Sequence, residues 1–107
     1  MVLTREFKDT VLELCNDPDN RKSLLLEALE SYLEDDIVVG NSLLRDYLNG
    51  TQAFPVIAQK MEMQEAGLRR MVSPKGNATA KNLFRLFKLC QDREGIHSAD
   101  ELLGRAA

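Results

Sequence analysis

Six residues spaced through one short basic stretch, Gln64, Glu65, Ala66, Arg69, Arg70 and Ser73, carry side chains suited to the groove of a nucleic-acid duplex. A guanidinium bridges the two acceptors that guanine shows in the major groove. A carboxamide matches the donor and acceptor of adenine, and an alanine methyl can lie against the methyl of thymine. Lys75, Asn77 and Lys81 follow at once and are placed for phosphate oxygens. Each of these alone would be ordinary surface; together they fall on the exposed side of one short periodic segment. No comparable set exists for catalysis. The chain has a single histidine, His97, and two cysteines, Cys15 and Cys90, without CxxC spacing. It has no serine in a nucleophile motif and no Gly-rich phosphate loop. The pair Asp35-Asp36 falls in an apparent helix cap. No enzyme, no metal and no cofactor are expected, and the two thiols read as buried and reduced.

The segment around those residues, FPVIAQKMEMQEAGLRRMVS from Phe54 to Ser73, divides into two short apolar-periodic runs, Phe54–Met61 and Gln64–Val72. Two short helices joined by a turn of about 3–4 residues make a helix-turn-helix, whose second helix enters the major groove. Such a unit needs apolar residues where its helices meet and face the core. Counted from Phe54, these are the fourth, eighth, tenth, fifteenth and eighteenth positions, here Ile57, Met61, Met63, Leu68 and Met71. The fifth needs a small side chain and has Ala58. The ninth commonly takes Gly because the turn has positive φ, and this chain has Glu62, at a steric cost of about 1–2 kcal/mol.

The elements that must position this unit all read as helices, since no stretch alternates as a strand does. Thr4 caps a first helix with the apolar face Leu3, Phe7, Val11 and Leu14; it ends at Asn16-Asp17-Pro18, where Asp17 caps a second. The second helix carries a stripe of Leu25, Leu29, Tyr32 and Leu33, widened by Leu24 and Ala28, and closes at Glu34-Asp35-Asp36. Asp36 then caps a third from Ile37 to about Leu48, burying Leu43, Leu44, Tyr47 and Leu48, with Asn49-Gly50 as its stop. Thr51 offers the next cap, and Pro55 must fall in the first turn of its helix. After the two-helix unit, Pro74-Lys75-Gly76-Asn77 makes a loop, and Thr79 or Asn77 starts a long helix carrying Leu83, Leu86, Phe87 and Cys90, ended by Gly95. Ser98 to Glu101 has capping-box spacing for a last turn to about Leu103.

The 107 residues, 44% apolar and 29% charged, suit one all-α domain that builds a core without metal or disulfide. Within it, 1–50 are N-terminal helices, 51–95 the helix-turn-helix unit and 96–107 a tail. No apolar run nears the roughly 18–20 residues of a membrane span, and MVLTREFKD lacks the apolar stretch of a signal peptide. A cytoplasmic protein with no membrane contact is expected. The net charge of −3 hides an asymmetry. Residues 1–50 hold eleven acids and five bases; residues 60–88 hold seven bases and only Glu62 and Glu65 as acids. A local basic face suits phosphate contact whatever the overall charge, although a solvated helix surface has the same composition.

From Thr4 to Gly95 the chain resembles the bacterial addiction-module antidote proteins, helix-turn-helix antitoxins encoded beside RelE-like toxins. The residues that carry the likeness are TREFKDTV, LLLEALESYL, GNSLLRDYLNGT and above all SPKGNATAKNLFRLFKL. The loop Pro74 to Thr79 after the second helix is the most specific of these; Glu62 departs from the family's usual glycine. The resemblance implies a λ-repressor-like helical domain with additional N-terminal helices, which neutralises a RelE-like toxin ribonuclease and represses its own operon. The implied partners are operator DNA, double-stranded, the toxin, and a second copy in a homodimer. The acidic N-terminal half would suit a basic toxin. A phage-repressor-like regulator without a toxin, and an adaptor whose helix-turn-helix only packs against a protein, are the competing readings.

Overall fold

The computed structural model describes residues 5–104, with side chains described from residue 9 onward. The described residues form helices and no strand: α1 (Arg5–Leu14), α2 (Pro18–Leu33), α3 (Ile37–Gly50), α4 (Phe54–Lys60), α5 (Glu65–Met71), α6 (Ala80–Arg93) and α7 (Ala99–Leu103). The starts follow the capping residues. The carboxylate of Asp17 accepts from Asp19 N at 2.9 Å and that of Asp36 from Val39 N at 3.2 Å. Thr79 Oγ1 accepts from Asn82 N at 3.2 Å, and Ser98 Oγ from Glu101 N at 3.1 Å. Each satisfies an amide that the first helical turn leaves without a partner. Glu101 reaches back from α7 to accept from His97 N at 3.1 Å.

Four helices end in one way. The residue after the cap turns left-handed, and the next amide donates back across the last turn. The left-handed residues are Asp35, Gln52, Glu62 and Gly95, with φ of 63°, 55°, 57° and 71°. The returning bonds are Asp36 N to Ser31 O, Ala53 N to Leu48 O, Met63 N to Ala58 O and Ile96 N to Gln91 O, at 2.8–3.0 Å. This is the Schellman closure, usually made with Gly; only the last of the four uses one here.

One core runs through the fold. Leu25 and Ala28 of α2 meet Leu44, Tyr47 and Leu48 of α3, Phe54 and Ile57 of α4, Leu68 of α5 and Leu86, Phe87 and Cys90 of α6. Ile96 and Leu102 bring the tail into the same core, so 96–103 is docked. Tyr32 meets the ring of Phe87 edge-on, centroids 6.0 Å apart. A polar clasp joins three helices at one end. Arg21 of α2 donates to both oxygens of Glu94 at 2.9 and 3.1 Å and to Cys15 O at 2.8 Å; Tyr47 donates to Glu94 Oε2 at 2.7 Å. Burial pushes the Cys90 thiol up to about 12 and also raises that of Cys15. Both are therefore held as neutral thiols at neutral pH.

Several expectations are corrected. Leu33 is 78% exposed and Leu14 49%, so neither belongs to the core stripe; Cys15 is buried at the end of α1 instead. Leu3 and Thr4 lie outside the described residues, as does the side chain of Phe7. Asn49-Gly50 does not stop α3, which runs through Gly50 and turns at Gln52. Thr51 caps the end of α3, its hydroxyl donating to Tyr47 O at 2.7 Å, and α4 starts from Ala53 without a side-chain cap. Gly50 is needed for another reason. A Cβ there would lie 2.2 Å from Cys15 Sγ and 3.1 Å from Val11 O, so the missing side chain is what lets α1 approach α3.

Gly50→Ala is accordingly expected to destabilise the protein by about 1–3 kcal/mol through overpacking. Cys15→Ala in the same chain should recover part of that loss, since it removes the sulfur that the new methyl meets. Denaturant melts of the two single variants and the double variant measure the coupling. Additive losses would mean that the two residues do not share the contact.

Candidate nucleic-acid interface

The α4–α5 unit is short because its turn is tight. Pro55 sits in the first turn of α4, where its missing N–H is no loss. Phe54, Ile57 and Ala58 are buried, and Met61 is 8% exposed. Glu62 then takes φ +57°, the left-handed geometry expected of the turn. Gln64 caps α5 by backbone geometry alone, with φ −70° and ψ 144° and no side-chain bond, which leaves its exposed carboxamide uncommitted. Leu68 and Met71 are buried, and Met63 is half-buried against the core. All six positions singled out for an apolar or small residue thus face inward. Glu65 in the first turn of α5 and Arg69 and Arg70 in its last each match the sign of the helix dipole beside them.

The far end of α5 is held by α3. Asn41 is 2% exposed and is the buried polar residue of the described chain. Its Nδ2 donates to Ser73 O at 3.0 Å and Gly76 O at 3.3 Å, while its Oδ1 accepts from the Tyr32 hydroxyl. One turn along, Arg45 Nη1 donates to Val72 O at 2.6 Å. Gly76 fits beneath the helix end, where a Cβ would lie 2.1 Å from Met71 O and 2.6 Å from Arg70 O. Three carbonyls at and beyond the end of α5 are therefore bonded by side chains of α3, and the loop Val72–Thr79 takes its path from them. Asn41 and Arg45 escaped the sequence reading. A signal was present: Asn41 stands three and seven residues before Leu44 and Leu48, on the stripe that faces the core.

The nine residues expected to touch nucleic acid divide into three groups. Arg70, Ser73, Lys75 and Asn77 line one open depression, joined there by Met63 and Gly67 and by Thr79 and Asn82 from the start of α6. Gln64 and Ala66 are exposed on α5, and Lys81 is exposed on the first turn of α6. Glu65 and Arg69 are engaged with the protein itself. Arg69 donates to Glu65 Oε2 at 3.1 Å and to Asn49 Oδ1 at 3.5 Å, and its guanidinium carbon lies 4.0 Å from the centre of the Phe54 ring. The Ser73 hydroxyl donates to Arg70 O at 2.7 Å. The guanidinium of Arg70 has no hydrogen bond or ion pair among the described residues. The two neighbouring arginines are thus unlike: Arg69 is anchored, and Arg70 is available.

The same division holds for the whole basic window. Lys88 is paired with Asp92 at 2.6 Å, and Arg85 donates to Lys60 O at 3.1 Å. Lys60, Arg70, Lys75 and Lys81 are exposed and carry no ion pair among the described residues. Their charge is uncompensated by near neighbours, which is the condition for attracting a polyanion. Among the described residues no three of His, Cys, Asp and Glu converge where a metal would sit, and no helix is long and apolar enough to cross a membrane.

Asn41→Ala would leave the carbonyls of Ser73 and Gly76 without their side-chain donor, at an expected cost of about 1–3 kcal/mol. Urea denaturation checks this, and an unchanged midpoint would remove Asn41 from its holding role. Glu62→Gly should act the other way. It relieves the left-handed strain but loosens the unfolded chain, so a change between about 0 and +1 kcal/mol of stability is expected. A clear loss in the same melts would mean that the turn of α4 is built differently.

Comparison with protein families, with characterised proteins and with solved structures found no match for this chain.

Proposed function

We propose that the chain is a DNA-binding antitoxin: a helix-turn-helix protein that reads an operator through α5, represses its own operon and neutralises a RelE-like toxin. It acts as a homodimer in the cytoplasm, without catalysis of its own. The observation that carries the DNA reading is the α4–turn–α5 unit. Its inner positions are closed by the core, while Gln64, Ala66 and Arg70 remain exposed and unengaged. The exposed cations Lys60, Lys75 and Lys81, which carry no ion pair among the described residues, support phosphate contact. The toxin and the autoregulation rest on the resemblance carried by GNSLLRDYLNGT and SPKGNATAKNLFRLFKL. In this reading Arg70 reads a base edge with Gln64. Arg69, braced by Glu65 and Phe54, supports the helix and contributes to the local field.

The test is direct. The purified protein should bind the DNA upstream of its own coding sequence and should co-purify with the product of a small basic reading frame beside it. Two half-sites about 34–36 Å apart are expected, with two protomers bound together; one protomer per site in sedimentation would defeat the dimer. Arg70→Ala should weaken operator binding by about 1–3 kcal/mol, more than Arg69→Ala does. Lys75→Ala should reduce the slope of affinity against salt by about one while sparing sequence preference. Equal affinity of wild type and Arg70→Ala, measured by anisotropy at moderate salt, would sink the assignment of α5 as the reading helix.

A further inference from the structure

The corner between α2 and α3 departs from what a solvated helix junction needs. Leu33, Ile37, Val38 and Val39 are 78%, 42%, 57% and 43% exposed within seven consecutive residues, and none belongs to the core cluster. Three β-branched aliphatic residues fill the first turn of α3, which has no acidic residue of its own. A helix start exposed to water favours Asp, Glu and small polar residues there, for the dipole and for helix propensity. Local choice thus runs against local physics with no core contact in return, which is the mark of a surface used for something else. The rim has one sign of charge. Glu34, Asp35 and Asp36 lie between the aliphatic residues and are all exposed. Asp36 is engaged only as the cap of α3, and no cation pairs with Glu34 or Asp35 among the described residues.

We propose that this corner is the docking surface for a basic protein partner, which lays an aliphatic or aromatic side chain over Val38 and Leu33 and ringing lysines or arginines against Glu34 and Asp35. The charge pattern selects among occupants. A second copy meeting this corner across a two-fold axis would set carboxylates against carboxylates. Nucleic acid and an anionic membrane are repelled for the same reason. A basic protein alone gains from both the apolar centre and the acidic rim. The proposal rests on the reading above that the chain binds a protein partner, and it adds where that partner sits. The surface is formed by α2 and α3, and the DNA-reading residues by α5 and the loop after it.

The experiment uses the full chain, the product of the adjacent small basic reading frame as the probe, and the variants Leu33→Lys and Val38→Lys. Both side chains are exposed, so neither change opens the core, and thermal melts should match wild type. Calorimetry should show the partner's affinity reduced about tenfold or more in each variant, with the operator affinity not reduced. Partner binding within about twofold of wild type in both variants overturns the docking surface and leaves the partner reading standing. No binding by wild type, or no such reading frame, overturns both. A shift of the dimer equilibrium in the variants, with partner affinity unchanged, assigns the corner to a second copy and overturns the proposal.

Discussion

The side chain of Asn41 is the point on which the rest depends. Buried carboxamides are costly unless every donor and acceptor finds a partner, and this one is satisfied on both sides. Tyr32 of α2 donates to its oxygen, and the carbonyls of Ser73 and Gly76 accept from its nitrogen. One residue of α3 therefore fixes the spacing of α2 and the path of the chain leaving α5. An apolar residue of similar size would take the side-chain donor from Gly76 O and the acceptor from the Tyr32 hydroxyl, and would leave Ser73 O with the Gly76 amide alone. Gly76 completes the arrangement from below, since only a residue without a side chain can lie so close to Met71 O. The exposed residues of the loop, Lys75 and Asn77, take their places from this backbone path.

The helix ends obey a second constraint. A core shared by six helices, α2 to α7, within about eighty residues requires sharp corners, and each left-handed residue makes one. At Asp35, Gln52 and Glu62 the corner is made by residues with side chains, each at a steric cost that packing must offset. The returned amide bonds bring the first residue beyond each helix back over its last turn, so the next helix starts in a defined direction. Between α4 and α5 this closure and the inward Met63 set the angle at which α5 is presented. The identity of the residue at the corner matters less than its geometry, which is why a glutamate can stand where a glycine is usual.

How much of this was legible follows from where the signal lies. Caps are local chemistry, and Asp17, Asp36, Thr79 and Ser98 could be read directly from side-chain type and spacing. The six inward positions of the α4–α5 unit were legible because periodicity maps onto burial when both faces of a helix differ. Leu33 and Leu14 show the converse: a helical stripe continues past the point where the partner helix ends, and periodicity does not reveal where contact stops. Gly after Asn reads locally as a helix stop, whereas the reason for Gly50 is the sulfur of Cys15, thirty-five positions away in the chain. The different fates of Arg69 and Arg70 were equally hidden, since only the fold brings Phe54 and Asn49 to one of them.

Asn49 and Gly50 have one more consequence, a chemical one. In a loose chain an asparagine followed by glycine closes readily to a succinimide, because the glycine nitrogen can reach the side-chain carbonyl without a Cβ in its way. Here the pair sits in the last turn of α3, with Gly50 pressed on Cys15 and the Asn49 oxygen facing Arg69. Helical backbone angles hold the nitrogen away from the carbonyl carbon. The ring can close only in the small population where that turn has opened, and the slow conversion of Asn49 to aspartate and isoaspartate becomes a clock that counts those openings over the lifetime of the molecule.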